Sequence, residues 1–173
     1  MPKAEIPFTQ EETAVNKKQF LSPDGKFKVE YSSDWMAMDK DSVSNMSQET
    51  LKEGATTLFF AQKTKIKEMA FAFLLIQELS LEKETTFDEI LVKMQDDLKT
   101  KGGEMRVVKW EVKNNIALLE AGYKKQGSVD FYSEEKLFLF EKKIYLVGIF
   151  SLENDWGKFK AEADEILNSA QLI

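Results

Sequence analysis

The chain contains no cysteine and no histidine among its 173 residues. Their absence excludes disulfide bonds, thiol nucleophiles and metal sites built from thiolate or imidazole ligands. It also removes the commonest general base of enzymes, so a Ser-His-Asp triad cannot form. Any metal would need a cage of oxygen ligands. We therefore predict no catalytic residue, no metal site and no cofactor, and we expect that the protein is not an enzyme.

Arginine is nearly as scarce, because Arg106 is the only one in the chain. The formal net charge is −6, and the lysines are interleaved with Glu and Asp. Guanidinium groups make most bidentate contacts to phosphates and guanine edges, so an acidic chain with one arginine is a poor reader of nucleic acid. We predict that nucleic acid is not a partner.

Long apolar runs are absent as well. The longest, MAFAFLLI from Met69 to Ile76, is far shorter than the roughly 18 residues that span a bilayer, and we predict no transmembrane segment in this chain. An apolar content of 43% is ample for one packed domain. Residues 1–17 hold two of the three prolines and show no periodicity. We predict a flexible leader over 1–17 and a single domain over 18–173.

The most informative stretch, LSPDGKFKVEYSSDW, runs from Leu21 to Trp35. Its Pro-Asp-Gly step predicts a turn, because proline presets one dihedral angle and glycine accepts a positive φ. Phe27, Val29 and Tyr31 then alternate with charged residues, which indicates a strand with one buried face. Phe20-Leu21 is typical of the end of a preceding strand, so we predict a hairpin.

This combination of a DG turn, an F-x-V-x-Y strand and a Ser-Asp-Trp step resembles the PsbP-like family. The fold of that family is shared by the extrinsic PsbP protein of photosystem II and a Ran-binding nuclear import factor, and the family includes many bacterial proteins. The matching residues are Asp24, Gly25, Phe27, Val29, Tyr31, Asp34 and Trp35. The resemblance implies a central antiparallel sheet between helical layers, and a protein that docks onto a larger one. Metal sites proposed in the family use histidine, so they do not transfer to this chain.

The rest of the pattern agrees with that architecture. Hydrophobic strands from Thr56 and Glu68 flank a short charged link and predict an antiparallel pair. A meander follows, with strands at 108–112, 116–123, 129–140 and 144–152, and the polar Ser133-Glu134-Glu135 step could interrupt the third.

Helical periodicity appears in two long segments. Thr86 and Glu89 form a capping box before an apolar stripe, which predicts a helix from Phe87 to about Thr100. A second helix should open with Asn154 as its cap, and a short one should cover 47–53. The sequence therefore predicts a single α+β domain with a central antiparallel sheet of about six or seven strands flanked by helices.

Four residues are candidates for an interaction site: Asp34, Trp35, Glu134 and Glu135. Trp35 is either a partly exposed anchor or a structural residue that seals the sheet. Trp110 and Trp156 lie on apolar patterns and are predicted to be core. The pairs Glu134-Glu135 and Asp96-Asp97 could serve a site, but solvated surface charge is the simplest interpretation of both.

These observations favour a non-catalytic protein-binding or accessory module with an unknown protein partner. The alternative is a protein that binds a ligand or a divalent cation through carboxylates. No signal peptide is visible. Both a cytoplasmic protein and an exported domain with a membrane tether outside this sequence remain open. The resemblance tilts the expectation slightly toward export or tethering at the cell envelope.

Overall fold

The computed structural model describes residues 16–39, 41, 55–125, 127 and 129–173. The predicted short helix at 47–53 and most of the predicted leader lie outside these residues. The elements in chain order are β1 (Lys17–Leu21), β2 (Phe27–Ser32), β3 (Met36–Ala37), β4 (Ala55–Lys65), β5 (Ala70–Ser80), α1 (Phe87–Thr100), β6 (Gly103–Lys113), β7 (Ile116–Lys125), β8 (Phe131–Phe140), β9 (Lys143–Leu152), α2 (Trp156–Ser169) and β10 (Gln171–Leu172).

Two antiparallel sheets organise the chain. The large sheet has seven strands in the order β3-β4-β5-β9-β8-β7-β6, and the small sheet has the order β1-β2-β10. Two-residue turns join β6 to β7 and β8 to β9, and Asn114 adopts a φ of 56° in the first of them. The prediction of an α+β domain with a central antiparallel sheet of about six or seven strands is confirmed, since the large sheet has seven.

Helices and the small sheet cover the two faces of the large sheet, which gives three layers. One face carries α2 together with the small sheet, and its core includes Phe27, Trp35 and Phe159. The other face carries α1, whose Phe87, Ile90 and Met94 pack on residues of the middle strands. None of the helices in the described ranges has the length and hydropathy needed to cross a membrane.

The capping box of α1 forms as predicted. The Thr86 side chain accepts a hydrogen bond from the Glu89 backbone N–H at 3.2 Å, and the Glu89 carboxylate accepts one from the Thr86 N–H at 3.2 Å. The helix runs from Phe87 to Thr100, as the periodicity indicated. Local sequence therefore determines this element, since both bonds join residues only three apart.

The turn of the Leu21–Trp35 segment is fastened to the large sheet through Asp24. Its carboxylate accepts hydrogen bonds from Ser22, from the Tyr145 hydroxyl and from Lys143 Nζ at 3.0 Å. Although burial acts to raise the pKa of Asp24, these bonds lower it well below its usual value. Burial and the Asp24 charge raise the pKa of Tyr145 to about 12. The aspartate of the DG turn is thus an anchor between the two sheets.

Three sequence predictions need correction. Strand β8 is continuous through Ser133-Glu134-Glu135, because each of these residues pairs with both neighbouring strands. Asn154 is not the cap of α2, since a 3-10 turn occupies Glu153–Asp155 and the helix begins at Trp156. Trp110 and Trp156 are only half-buried, at the margins of the two cores.

Candidate functional site

Strand β8 sends its two glutamates to opposite faces of the large sheet, because successive side chains of a strand alternate. Glu134 points toward α2, where Lys160 Nζ donates to it at 2.9 Å. Glu135 points toward the α1 side and is fully buried. The interpretation of the pair as solvated charges is therefore wrong, and the two carboxylates do not form one site.

Glu135 is held in a compact polar cluster within the core. It accepts hydrogen bonds from the Tyr123 hydroxyl and from Ser133 Oγ, the latter at 2.7 Å. Gly148 on the neighbouring strand leaves room for it, since a Cβ there would lie 3.0 Å from Glu135 Cγ. Burial and the Glu135 charge raise the pKa of Tyr123 well above its usual value. Glu135 has no surface exposure, and these hydrogen bonds lie within the core.

Asp34 and Trp35 lie at the other margin of α2. Trp35 is only 2% exposed and belongs to the core. Of the two interpretations, a structural residue that seals the sheet fits this burial better than a partly exposed anchor. Asp34 accepts from Lys63 Nζ at 2.7 Å, and the same lysine contacts Glu162 of α2 at 2.9 Å. Despite the opposing effect of burial, the bonds from Lys63 and Ser32 lower the pKa of Asp34. This ion-pair network ties α2 to β4.

Glu134 marks a different environment on the second flank of α2. Its partner Lys160 also bridges to Asp164 at 2.9 Å, one helical turn away. Burial and the neighbouring Asp164 raise the pKa of Glu134. Its Oε1 atom is buried with no hydrogen-bond partner among the described residues. A buried oxygen without a partner is costly, which sets this flank apart from the saturated network around Asp34.

Beyond Glu134, the strands β6 to β8 extend past α2 and create a groove. Arg106 lies across Gly122 of the adjacent strand, since a Cβ at Gly122 would be 2.7 Å from Arg106 Nη2. The guanidinium contacts Glu153 at 3.3 Å, and its side chain is 58% exposed. Because Gly122 has no side chain, the side chain of Arg106, the only arginine of the chain, can lie flat on the sheet.

Two half-buried aromatic rings lie in the same region. Tyr132 and Trp156 pack with their ring centroids 5.1 Å apart, at the junction of β8 and α2. The Tyr132 hydroxyl donates to Glu120 at 3.1 Å, and burial together with this carboxylate raises the pKa of Tyr132 to about 12. We define the α2 groove by Arg106, Gly122, Tyr132, Glu134, Glu153 and Trp156.

An open cleft of about 240 Å³ forms one end of the α2 groove. Its lining is mainly charged and consists of Glu104, Arg106, Gly122, Tyr123, Lys124, Asp130 and Glu153. Apolar small molecules favour pockets with predominantly apolar walls, whereas this lining suits the polar surface of a protein. No group of three or more metal-ligating side chains occurs in the described part of the chain.

Of the four predicted site residues, only Glu134 lies in the α2 groove. The other groove residues were missed, although two signals pointed to them. Arg106 is the only arginine, and Gly122 interrupts a strand pattern, which often marks a close approach of another group. The interaction roles predicted for Asp34, Trp35, Glu134 and Glu135 remain predictions.

A seven-stranded antiparallel sheet, with a helix on one face and a helix plus a small sheet on the other, is the PsbP-like fold. The chain shares this fold with solved structures across 92% or more of its length. No protein-family model and no curated protein sequence matches the chain.

Three of these solved structures are informative. The cyanobacterial PsbP (CyanoP) of Synechocystis sp. PCC 6803 is 11% identical, with a TM-score of 0.62 over 92% of this chain and 94% of its own. The Ran-binding protein Mog1p of Saccharomyces cerevisiae is 7% identical, with a TM-score of 0.57 over 92% and 96%. LpqN of Mycobacterium tuberculosis, involved in cell envelope biogenesis, is 8% identical, with a TM-score of 0.51 over 99% of both chains. At such identities the similarity shows the fold alone.

Proposed function

We propose that the protein is a non-catalytic binding module that docks a protein partner in the α2 groove. The observation that carries the proposal is Arg106, which lies on Gly122 with more than half of its side chain exposed. Arginine, tyrosine and tryptophan are the residues that dominate binding energy at protein interfaces. Here Arg106, Tyr132 and Trp156 occur on one surface.

The electrostatics of the α2 groove support the same proposal. The exposed Arg106–Glu153 pair offers a donor and an acceptor to an incoming chain. Exposed ion pairs contribute little to folding, so they can be exchanged for contacts with a partner at small cost. The Asp34 network lacks this property, because its lysine is mostly buried and already serves two carboxylates.

The structural neighbours are consistent with a binding role. Mog1p is described as Ran-binding, and LpqN as involved in cell envelope biogenesis. A fold hosts many functions, so these descriptions raise the expectation of a docking module without naming the partner. Following LpqN, we also propose an exported or envelope-tethered location. Cell fractionation tests it, and recovery of all the protein in the cytoplasmic fraction would contradict it.

Affinity capture with matched variants tests the docking proposal. The bait is the full chain, expressed at native level in the cells that encode it, as wild type, as Glu153→Lys and as Glu82→Lys. Glu153 lies in the α2 groove, whereas Glu82 is an exposed loop residue before α1. We expect a stoichiometric partner with wild type and with Glu82→Lys, and its loss with Glu153→Lys.

Two results would contradict the proposal. One is a partner that binds all three baits equally, because docking would then use another surface. The other is the absence of any stoichiometric partner. Circular dichroism and thermal melting of each bait show that a lost partner does not reflect a lost fold.

A further inference from the structure

The two edges of the large sheet are very different. On one edge, the two-residue strand β3 covers part of β4. The other edge is β6, an eleven-residue strand that pairs only with β7 within the described residues. A long edge strand offers unpaired backbone N–H and C=O groups to another strand, and proteins usually shorten or cover such edges. The backbone groups along this edge of β6 are therefore available to pair with a further strand.

No described element pairs with the outer edge of β6. Val108 and Val112 are 48% and 47% exposed, although β-branched residues favour covered strand positions. Helix α1 lies above β6, but its Ile90 and Met94 line a small cavity with Leu137 and Leu146 of the middle strands. Through Asp88 and Phe87 the helix also covers Trp110 of β6, but Val108 and Val112 stay about half exposed.

A bulge at Val108 fixes which residues of β6 share a face. The register with β7 shifts between Val107 and Lys109, so Val108 has no direct partner. On the α2 side the strand then presents Glu104, Arg106, Lys109, Glu111 and Lys113. On the α1 side it presents Met105, Val107, Trp110 and Val112.

This order of residues is self-complementary. If a second β6 pairs antiparallel to the first about a two-fold axis between Val108 and Lys109, Arg106 lies opposite Glu111 and Glu104 lies opposite Lys113. On the other face, Val107 meets Trp110 and Met105 meets Val112. Directly opposite side chains of antiparallel strands lie about 4.5–5.5 Å apart, where opposite charges and apolar pairs are favourable. The symmetry makes each contact twice.

We propose that β6 is a self-association edge, at which a second copy of this chain pairs antiparallel through a two-fold axis between Val108 and Lys109. This inference goes beyond the proposed docking function, and the mass of the pure protein tests it without any partner. We propose a second copy as the pairing strand because the charge pattern of β6 is complementary to itself. The charges of an unrelated peptide would not match this pattern except by chance.

One contact beside the axis is unfavourable. The two Lys109 residues flank the axis diagonally, and each Lys109 Nζ lies 3.9 Å from Glu111 of its own chain, which reduces the repulsion. Charged residues and bulges on edge strands oppose pairing. Each copy also carries a net charge of −6. The dimer is therefore reversible, and removal of the Lys109 charge strengthens it.

Sedimentation velocity over a series of protein concentrations tests the proposal. We expect a monomer–dimer equilibrium for wild type. Arg106→Glu and Glu111→Arg should each give monomers, since each places like charges opposite one another. The double variant Arg106→Glu/Glu111→Arg restores the opposite-charge pairs and should restore the dimer. Lys109→Gln should lower the dissociation constant at least several-fold.

Lys83→Glu is the matched control, because Lys83 is an exposed loop residue far from β6 in the sequence. It should leave the equilibrium unchanged. A wild type that stays monomeric at every concentration overturns the proposal. So does a dimer that survives both single charge reversals, or a folded double variant that does not recover. An unchanged dissociation constant for Lys109→Gln overturns the position of the axis.

Discussion

The Leu21–Trp35 segment and the α2 groove differ in how their polar groups are used. In the segment, Asp24 accepts from Ser22, Tyr145 and Lys143, and Asp34 is paired with Lys63. In the groove, by contrast, the Arg106–Glu153 ion pair is exposed. The two aspartates that carry the resemblance are thus bound within the fold, whereas the α2 groove that we propose for docking lies outside the segment.

The largest expected effect in this comparison is on stability, at Trp35. Truncation to alanine removes a large buried ring, so Trp35→Ala should lower the free energy of unfolding by about 3–5 kcal/mol. Urea denaturation measures it. The indole N–H has no hydrogen-bond partner in the described structure, so Trp35→Phe should cost much less. A loss below about 1 kcal/mol for Trp35→Ala would contradict a structural role.

Next in size is Gly148→Ala, which probes the Glu135 cluster. The added Cβ would lie 2.9 Å from Phe150 and 3.0 Å from Glu135, so overpacking should destabilise the protein by about 1–3 kcal/mol. The same substitution in a Glu135→Ala background has more room and should cost less. A double-mutant cycle measures the free energy of unfolding in both backgrounds. Equal destabilisation by Gly148→Ala in the two would show that Glu135 does not occupy this space.

A smaller effect is expected for Asp24→Asn, which weakens the charge-assisted bonds of the turn. The substitution should lower the free energy of unfolding at neutral pH by about 1–2 kcal/mol. Because the pKa of Asp24 is lower in the folded state, its stabilising effect is present above the unfolded pKa of roughly 3.9 and is lost as the pH falls toward the folded pKa. Denaturation at several pH values should show the two proteins converging in acid. A constant difference would mean that the charge of Asp24 is not involved.

The smallest stability effect belongs to the α2 groove. Arg106→Ala removes only an exposed ion pair and should change the free energy of unfolding by less than about 0.5 kcal/mol. The same variant should weaken partner binding at least tenfold, which corresponds to about 1.4 kcal/mol. Denaturation and quantitative capture measure the two effects. A large loss of stability would make Arg106 a structural residue like Asp24.

The sequence predicted local structure well and the site poorly, for a physical reason. The ends of α1 follow from Thr86, Glu89 and an apolar stripe, all within one segment. The burial of Glu135 depends on Tyr123 and Gly148, which come from neighbouring strands. One signal was available in the sequence. Ser133, Glu135 and Leu137 alternate along the strand, so Glu135 shares a face with the apolar Leu137.

The most direct test of the central claim is site-specific photo-crosslinking in cells that make the protein. A photoreactive phenylalanine analogue replaces Tyr132 in the α2 groove, or Leu21, which is 50% exposed at the start of the Leu21–Trp35 segment. If the partner docks in the α2 groove, we expect a discrete crosslinked adduct from position 132 and none from position 21. An adduct from position 21 alone would contradict it, because the partner would then contact the segment that we assign to the fold.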